Sequence, residues 1–163
     1  MRYVYLAKNY NNMIQSKEVK PINFIYYRTE TTVNELVNLL PVGQELFKEA
    51  VRIKIYITGP VHWHYIGITA DLTKSFIVEV SVPVAEIPKE YDGSFHFKRT
   101  EPFKCVSLIH EGAWTDIPQS YGMLMQYLGE HQLTPVGVNR EVYVNADFNY
   151  PDANTTEIQF GIA

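Results

Sequence analysis

Residues 140–160 read REVYVNADFNYPDANTTEIQF, and the rest of the chain can be interpreted outward from them. Two runs that alternate apolar and polar side chains flank a polar loop, a pattern typical of two β-strands. An ionisable residue, Glu141, stands inside the first alternation. A carboxylate in a strand that buries one face is a candidate for the centre of a functional site.

Length and composition exclude several classes of protein. The chain has 163 residues, 46% of them hydrophobic and 13% aromatic, enough for a substantial core. Its net charge of -4, with Lys and Arg scattered, argues against nucleic-acid binding by this chain alone. Cys105 is the single cysteine, which excludes an internal disulfide and favours a reducing, cytoplasmic location. No apolar run approaches the roughly 20 residues of a membrane span.

The first half of the chain begins with strand and helix patterns. The first fifteen residues are expected to form a loose strand or terminal arm, and a strand follows over residues 19–28. Residues 33–51 carry apolar side chains at helical spacing. Pro41 and Gly43 interrupt this pattern, so the sequence predicts a broken helix.

Two further strand regions complete the first half. RIKIYITGPVHWHYIGITA, residues 52–70, predicts a hairpin with its turn at Gly59 and Pro60. SFIVEVSVPV, residues 75–84, predicts another strand. The polar stretch that follows, with prolines and a glycine, is the most plausible linker in the chain.

The second half repeats this order of elements. FHFKRTEPFKCVSLIH, residues 95–110, is strand-like, and residues 114–133 predict a helix with Pro118 tolerated in its first turn. The two strands of residues 140–160 follow. Three pairs of similar residues align the halves at nearly constant separation: Pro21 with Pro102, Asp71 with Asp147, and Glu79 with Glu157.

This order predicts an α+β fold made of duplicated βαββ units within one domain spanning residues 1–163. The repeats are expected at about 16–84 and 95–163, with the linker at about 85–94. Paired by a pseudo-twofold axis, such lobes leave a cleft between them.

The alternation along the strands then predicts which residues face this cleft. We take Val142 and Val144 as the side that packs on the helices, so that the cleft lies on the other face. The same reasoning places Ile158 and Phe160 on the core side. The residues expected to face the cleft are Glu141, Tyr143, Asn145, Trp63, Tyr65, Gly67, Glu157 and Gln159.

SLIHEGAW at residues 107–114, a helix, and then REVYVNAD and TEIQF resemble the GyrI-like small-molecule-binding domain. The same module forms the effector-binding half of multidrug-sensing transcription regulators of the AraC and MerR types, and this chain is similar to its stand-alone form. The resemblance is specific over about residues 103–162. It implies an SHS2-like duplicated fold with a ligand cleft, and it implies that Glu141 receives cationic aromatic ligands beside Trp114.

Two positions depart from the pattern of that family. Ala113 stands where a proline usually precedes the aromatic residue, and Gln159 stands where the closing strand often carries a tyrosine. These departures bear on ligand preference rather than on the fold. The predicted ligand-binding residues are Glu141, Tyr143, Trp114, Trp63, Tyr65 and Gln159.

Several other polar residues have a structural interpretation that outweighs a functional one. His62 and His64 could hold a metal, but no third ligand is evident, so we expect packing and predict no metal site. His110 is expected to hold a strand-to-helix connection, with an acid–base role as the alternative. Cys105 is expected to be buried and inert. Tyr121 could reach the cleft but is expected to be packed.

Three functions remain open from the sequence. The first is a stand-alone binder of hydrophobic compounds, cationic or aromatic, which makes a small molecule the expected partner. The second is a hydrolase of cyclopropane-type electrophiles in which Glu141 is catalytic. The third is an interaction module with a protein partner, as in the gyrase inhibitors. The fold is also similar to SOUL haem-binding domains, but no histidine has the spacing of an axial ligand, and we predict no cofactor.

Overall fold

The computed structural model describes residues 13–163, so most of the expected terminal arm lies outside the described residues. Two α-helices occur in this part of the chain, α1 (Val42–Arg52) and α2 (Ile117–Glu130). Short 3-10 helices precede both of them. The eight strands are β1 (Gln15–Val19), β2 (Asn23–Thr31), β3 (His62–Ile66), β4 (Phe76–Pro83), β5 (His96–Arg99), β6 (Phe103–Glu111), β7 (Pro135–Asn145) and β8 (Thr155–Ile162).

All eight strands form one antiparallel sheet in the order β1-β6-β8-β7-β3-β4-β2-β5. The elements β2-α1-β3-β4 occupy one half of the sheet, and β6-α2-β7-β8 occupy the other. β3 and β7 pair at the centre and join the halves. The predicted α+β class with strand–helix–strand–strand units is therefore confirmed, whereas the internal duplication with the bounds given above stays a prediction.

The predicted break in the first helical region is present. A 3-10 helix covers Val33–Leu39, and α1 begins at Val42, directly after Pro41. Proline in a helix interior removes a backbone hydrogen bond and clashes with the preceding turn, which explains why the two pieces do not merge. The predicted second helix is also present, and Pro118 lies in the first turn of α2.

The hairpin predicted with a turn at Gly59 and Pro60 is wrong. Residues 52–61 form no strand, although Ile57 makes an isolated bridge to Val84. Ile55 is instead buried in the core beside α1. The hairpin of this region lies between β3 and β4, because β3 pairs with β4 across residues 67–75. Alternation alone could not distinguish a strand from an extended connection that buries one side chain.

Both helices cover the same face of the sheet, and this overturns the predicted position of the cleft. Trp63 and Tyr65 belong to the apolar cluster that contains Leu46 of α1. Ile158 pairs in register with Glu141 and packs in the cluster that contains Leu124 of α2. Glu141 therefore lies on the helix-covered face. Val142 lies on the opposite face, and Val144 is 54% exposed rather than core.

Candidate ligand-binding site

A cavity of about 1180 Å³ opens on the helix-covered face, between the helical segments of the two halves. One side comes from the 3-10 helix at Val33–Leu39 and from α1, the other from α2, and the floor from β3 and β7. Its surface is mostly apolar. No third α-helix lies between α1 and α2 among the described residues, so the central strands of the sheet form the base of an open groove.

Glu141 lies at the centre of the floor and is buried. Three tyrosine hydroxyls donate hydrogen bonds to its carboxylate. Tyr121 on α2 donates to Oε1 at 2.9 Å, and Tyr143 on β7 donates to Oε2 at 2.5 Å. Tyr65 on β3 donates to Oε2 at 3.3 Å. The carboxylate is thus held by phenols from both halves of the sheet.

Burial dominates the electrostatics of this group. Loss of hydration raises the pKa of Glu141 above its ordinary value, and the hydrogen bonds from Tyr143, Tyr121 and Tyr65 offset part of that rise. Burial also raises the pKa of all three phenols, and the neighbouring carboxylate raises it further. The tyrosines therefore remain neutral donors, and the ionised form of Glu141 has little solvent to stabilise its charge.

A chain of aromatic rings leads from Glu141 to the rim of the cavity. Trp63 contacts the Tyr143 ring edge to face, with 6.2 Å between ring centroids. Trp114 contacts the same ring at 5.4 Å and Phe148 at 5.5 Å. Phe148 is 71% exposed and marks the mouth. The indole N–H of Trp114 is buried and has no hydrogen-bond partner among the described residues.

Five of the six residues predicted to bind ligand line this cavity: Glu141, Tyr143, Trp114, Trp63 and Tyr65. Gln159 does not, and its predicted place in the cleft is wrong. It pairs in register with Arg140, and strand alternation puts both on the face opposite Glu141. Whether the other five bind a ligand stays a prediction, but the fold brings them to one surface.

Tyr121 is the residue that the sequence interpretation underestimated. It was expected to be packed in the apolar stripe of α2, yet its hydroxyl reaches Glu141 and its ring lines the cavity. The signal was present in the sequence, because a tyrosine within an apolar stripe needs a partner for its hydroxyl. A carboxylate on the strand that follows the helix was the available partner.

The histidines lie outside the cavity wall. His110 Nδ1 lies 2.8 Å from Ser120 Oγ and its Nε2 lies 2.8 Å from the carbonyl oxygen of Ala113. Because a carbonyl only accepts, Nε2 carries a proton and donates it to Ala113. These contacts tie β6 to α2, in agreement with the structural role expected for His110.

His62 and His64 contact each other on the opposite face of the sheet, with 3.2 Å between Nδ1 and Nε2. Burial lowers the pKa of His62 to about 4. Residues 13–163 contain no group of three or more His, Cys, Asp or Glu side chains arranged to hold a metal. Within the same residues, neither helix is long and apolar enough to cross a membrane.

The family model of the GyrI-like small molecule binding domain matches residues 13–163. No curated protein sequence matches the chain. Among solved structures, the C-terminal domain of EcmrR is similar, with a TM-score of 0.77, 21% identity, and coverage of 92% of this chain and 96% of that one.

Two other solved structures share the fold at lower identity. SAV2435 bound to tetraphenylphosphonium has a TM-score of 0.60 and 13% identity, over 92% of this chain and 93% of that one. A hydrolase encoded by lin2189 from Listeria innocua has a TM-score of 0.61 and 13% identity, over 92% and 91%. These similarities establish a common fold.

Proposed function

The chain belongs to the GyrI-like small-molecule-binding family, and on that basis we propose that its cavity binds bulky, apolar organic cations that carry aromatic groups. The observation that carries the proposal is the environment of Glu141, a buried carboxylate at the floor of an apolar cavity. Of the described residues that line the cavity, Glu141 is the only Asp, Glu, Lys, Arg or His. An anion would meet repulsion there, and a neutral ligand would leave the carboxylate without a counter-charge.

The cation that fits best has no N–H donors. Three phenol hydroxyls already occupy the carboxylate oxygens, so a primary ammonium would have to compete with them for lone pairs. A quaternary ammonium or phosphonium needs only charge proximity and ring faces, which Trp63, Trp114 and Tyr143 supply. The structure of SAV2435 bound to tetraphenylphosphonium is in keeping with this ligand class.

Calorimetric titration with tetraphenylphosphonium tests the proposal. Glu141→Gln keeps the shape and removes the charge, and we expect it to weaken binding more than about tenfold, or about 1.4 kcal/mol. Glu157→Gln is the matched control, because it removes a carboxylate from the opposite face of the sheet. Equal affinity for the wild type and Glu141→Gln would overturn the proposal. Triphenylphosphine oxide, a neutral probe of similar shape, should lose no affinity in Glu141→Gln, because its binding does not use the charge.

Hydrolysis of a strained electrophile is the second candidate, favoured by the raised pKa of Glu141 and by the similar fold of a protein described as a hydrolase. A carboxyl with a raised pKa is suited to proton transfer near neutral pH. Water would attack a carbon of a cyclopropane, the ring C–C bond would break, and Glu141 would move a proton from the water to the carbon left behind.

Product analysis separates the two candidates. The wild type would be incubated with an activated cyclopropane, and a ring-opened alcohol that disappears in Glu141→Gln would support hydrolysis. Tight binding of the electrophile without ring opening would favour the binder.

A further inference from the structure

The face of the sheet opposite the cavity carries a row of polar side chains that crosses six strands. Each member lies directly opposite the next across neighbouring strands. Alternation along each strand places them all on this face. The row consists of Arg28, Glu79, His64, Arg140, Gln159 and Ser107. All of them except Arg28 are buried.

Arg140 is the member of this row whose guanidinium forms no ion pair within residues 13–163. The residue is 6% exposed, and its guanidinium lies over the ring of Phe103 at 3.9 Å from the centroid. Its Nε and Nη1 are buried and make no hydrogen bond. Burial lowers the pKa of Arg140 to about 10, so the group stays charged at neutral pH. A buried charge without a hydrogen-bonded counter-charge is costly, which points to a group that residues 13–163 do not supply.

The carboxylates of this face are engaged elsewhere. Glu79 forms ion pairs with Arg28 and Lys98. Glu157 pairs with Lys17 and accepts a hydrogen bond from Ser107. No carboxylate of residues 13–163 forms an ion pair with Arg140. The sequence of residues 1–12 contains neither Asp nor Glu, so it offers no side-chain carboxylate either.

A second unsatisfied atom lies beside this charge. Gln159 pairs in register with Arg140, and its Oε1 is buried without a hydrogen-bond donor. The two residues thus present free N–H donors and a free acceptor to the same region, yet they do not bond each other. A ligand that accepts hydrogen bonds through a carboxylate and donates one through a hydroxyl would satisfy both.

We propose that Arg140 and Gln159 form a second binding site, for a small hydroxycarboxylate whose carboxylate binds the guanidinium and whose hydroxyl donates to Gln159. A monoanion would supply the counter-charge that Arg140 lacks. The Nε–H and Nη1–H groups can donate to carboxylate oxygens, and the Phe103 ring covers one face of the guanidinium, which leaves its edges for the ligand. This site lies on the face opposite Glu141, so it is independent of the cavity proposed to bind cations.

Thermal unfolding with glycolate as the probe tests this site. At matched ionic strength, glycolate should raise the melting temperature of the wild type above its value in chloride and above its value in acetate, which lacks the hydroxyl. Arg140→Met should lose the difference. Arg99→Met, which removes one positive charge from an exposed position on β5, should keep it.

Three results would overturn the proposal: no glycolate shift in the wild type, the same shift in Arg140→Met, or equal shifts with acetate and glycolate. Should Arg140→Met fail to fold, Arg140→Lys retains the charge without the planar fork and should show a reduced shift. A second readout is the NMR signal of the Arg140 Nε–H group, which should move on glycolate addition. Tetraphenylphosphonium should leave that signal unchanged, which separates this site from the cation cavity.

Discussion

Glu141 and Trp63 lie directly opposite each other on β7 and β3, the two strands that join the halves of the sheet. The carboxylate belongs to one half and the indole to the other, so the floor of the cavity is assembled across the junction. Tyr65 from the first half and Tyr121 from the second both donate to the same carboxylate. The properties of Glu141 therefore depend on the packing of both halves.

Glu141→Gln should raise thermal stability at neutral pH. The folded-state pKa of Glu141 lies above its ordinary value of 4.5, so folding opposes its ionisation. This cost is fully present above the folded-state pKa and disappears as pH falls toward 4.5. Each 1 kcal/mol recovered should raise the melting temperature by about 2–4 °C in a chain of this size. Calorimetry across this pH range would measure the change.

Glu157→Gln should show the opposite sign. Burial alone would raise the pKa of Glu157, but hydrogen bonds from Lys17 and Ser107 outweigh it and lower the pKa. The charged form therefore stabilises the fold at neutral pH, and that contribution is lost as pH falls through the folded-state pKa. The variant should melt below the wild type at neutral pH and approach it in acid. A gain in stability for both glutamine variants would contradict the assignment.

Tyr121→Phe should shift the pH dependence of cation binding. Removing one donor leaves the carboxylate less stabilised and raises the pKa of Glu141 further. Cation binding requires the ionised carboxylate, so as pH falls the affinity of this variant should begin to decrease at a higher pH than that of the wild type. Below the pKa of Glu141, the affinity should fall by at most about tenfold per pH unit. Tetraphenylphosphonium affinity measured across pH provides the test. Tyr127→Phe, on the same helix but outside the cavity lining, should behave as the wild type.

Trp114→Ala should weaken binding of tetraphenylphosphonium by about 1–2 kcal/mol, because it removes a ring face and an apolar wall. Trp114→Phe should recover most of that loss, since a ring still packs against Tyr143 and Phe148. Tyr56→Ala removes an exposed aromatic ring outside the cavity and should leave affinity unchanged. Similar affinity losses at positions 56 and 114 would show that the effect is nonspecific.

Two adjacent residues on α2 should separate stability from ligand binding. Leu124 is fully buried, and Leu124→Ala should lower the free energy of unfolding by about 2–5 kcal/mol. Met125 is 53% exposed and lines the cavity, so Met125→Ala should cost little stability but reduce affinity for bulky ligands. Denaturant unfolding and calorimetric titration of both variants would show the two effects. A large stability loss at position 125 would place Met125 in the core.

The sequence predicts the elements of this fold better than their faces. Periodicity located α2, and Pro41 located the break before α1. Strand alternation correctly separated Glu141 from Val142, but a period of two does not say which face the helices cover. Placing Val142 and Val144 on the helix-covered face is a choice that the alternation itself does not make. The structure instead packs Trp63 and Tyr65 against the helices.

The candidate site was predicted in part for a related reason. Glu141 and four aromatic residues line the cavity although the sequence places the cleft on the wrong face of the sheet. Trp63, Tyr65, Glu141 and Tyr143 share one face through the alternation along β3 and β7, and Trp114 follows from the family resemblance. Gln159 does lie on the face away from the helices, as alternation along β8 predicts, but it fails as a cleft residue because the cavity lies on the helix-covered face. Tyr121 contacts Glu141 only through tertiary packing of α2, which no strand pattern encodes.

The pairing of β3 with β7 has a mechanical consequence. A ligand seated on Glu141 and Trp63 touches both halves at once and acts as a non-covalent cross-link over the seam between them. Ligand binding would then reduce the mobility of the two central strands rather than change the fold. Amide hydrogens of His62 to Ile66, which lie in that seam, would report it by exchanging more slowly in the loaded protein.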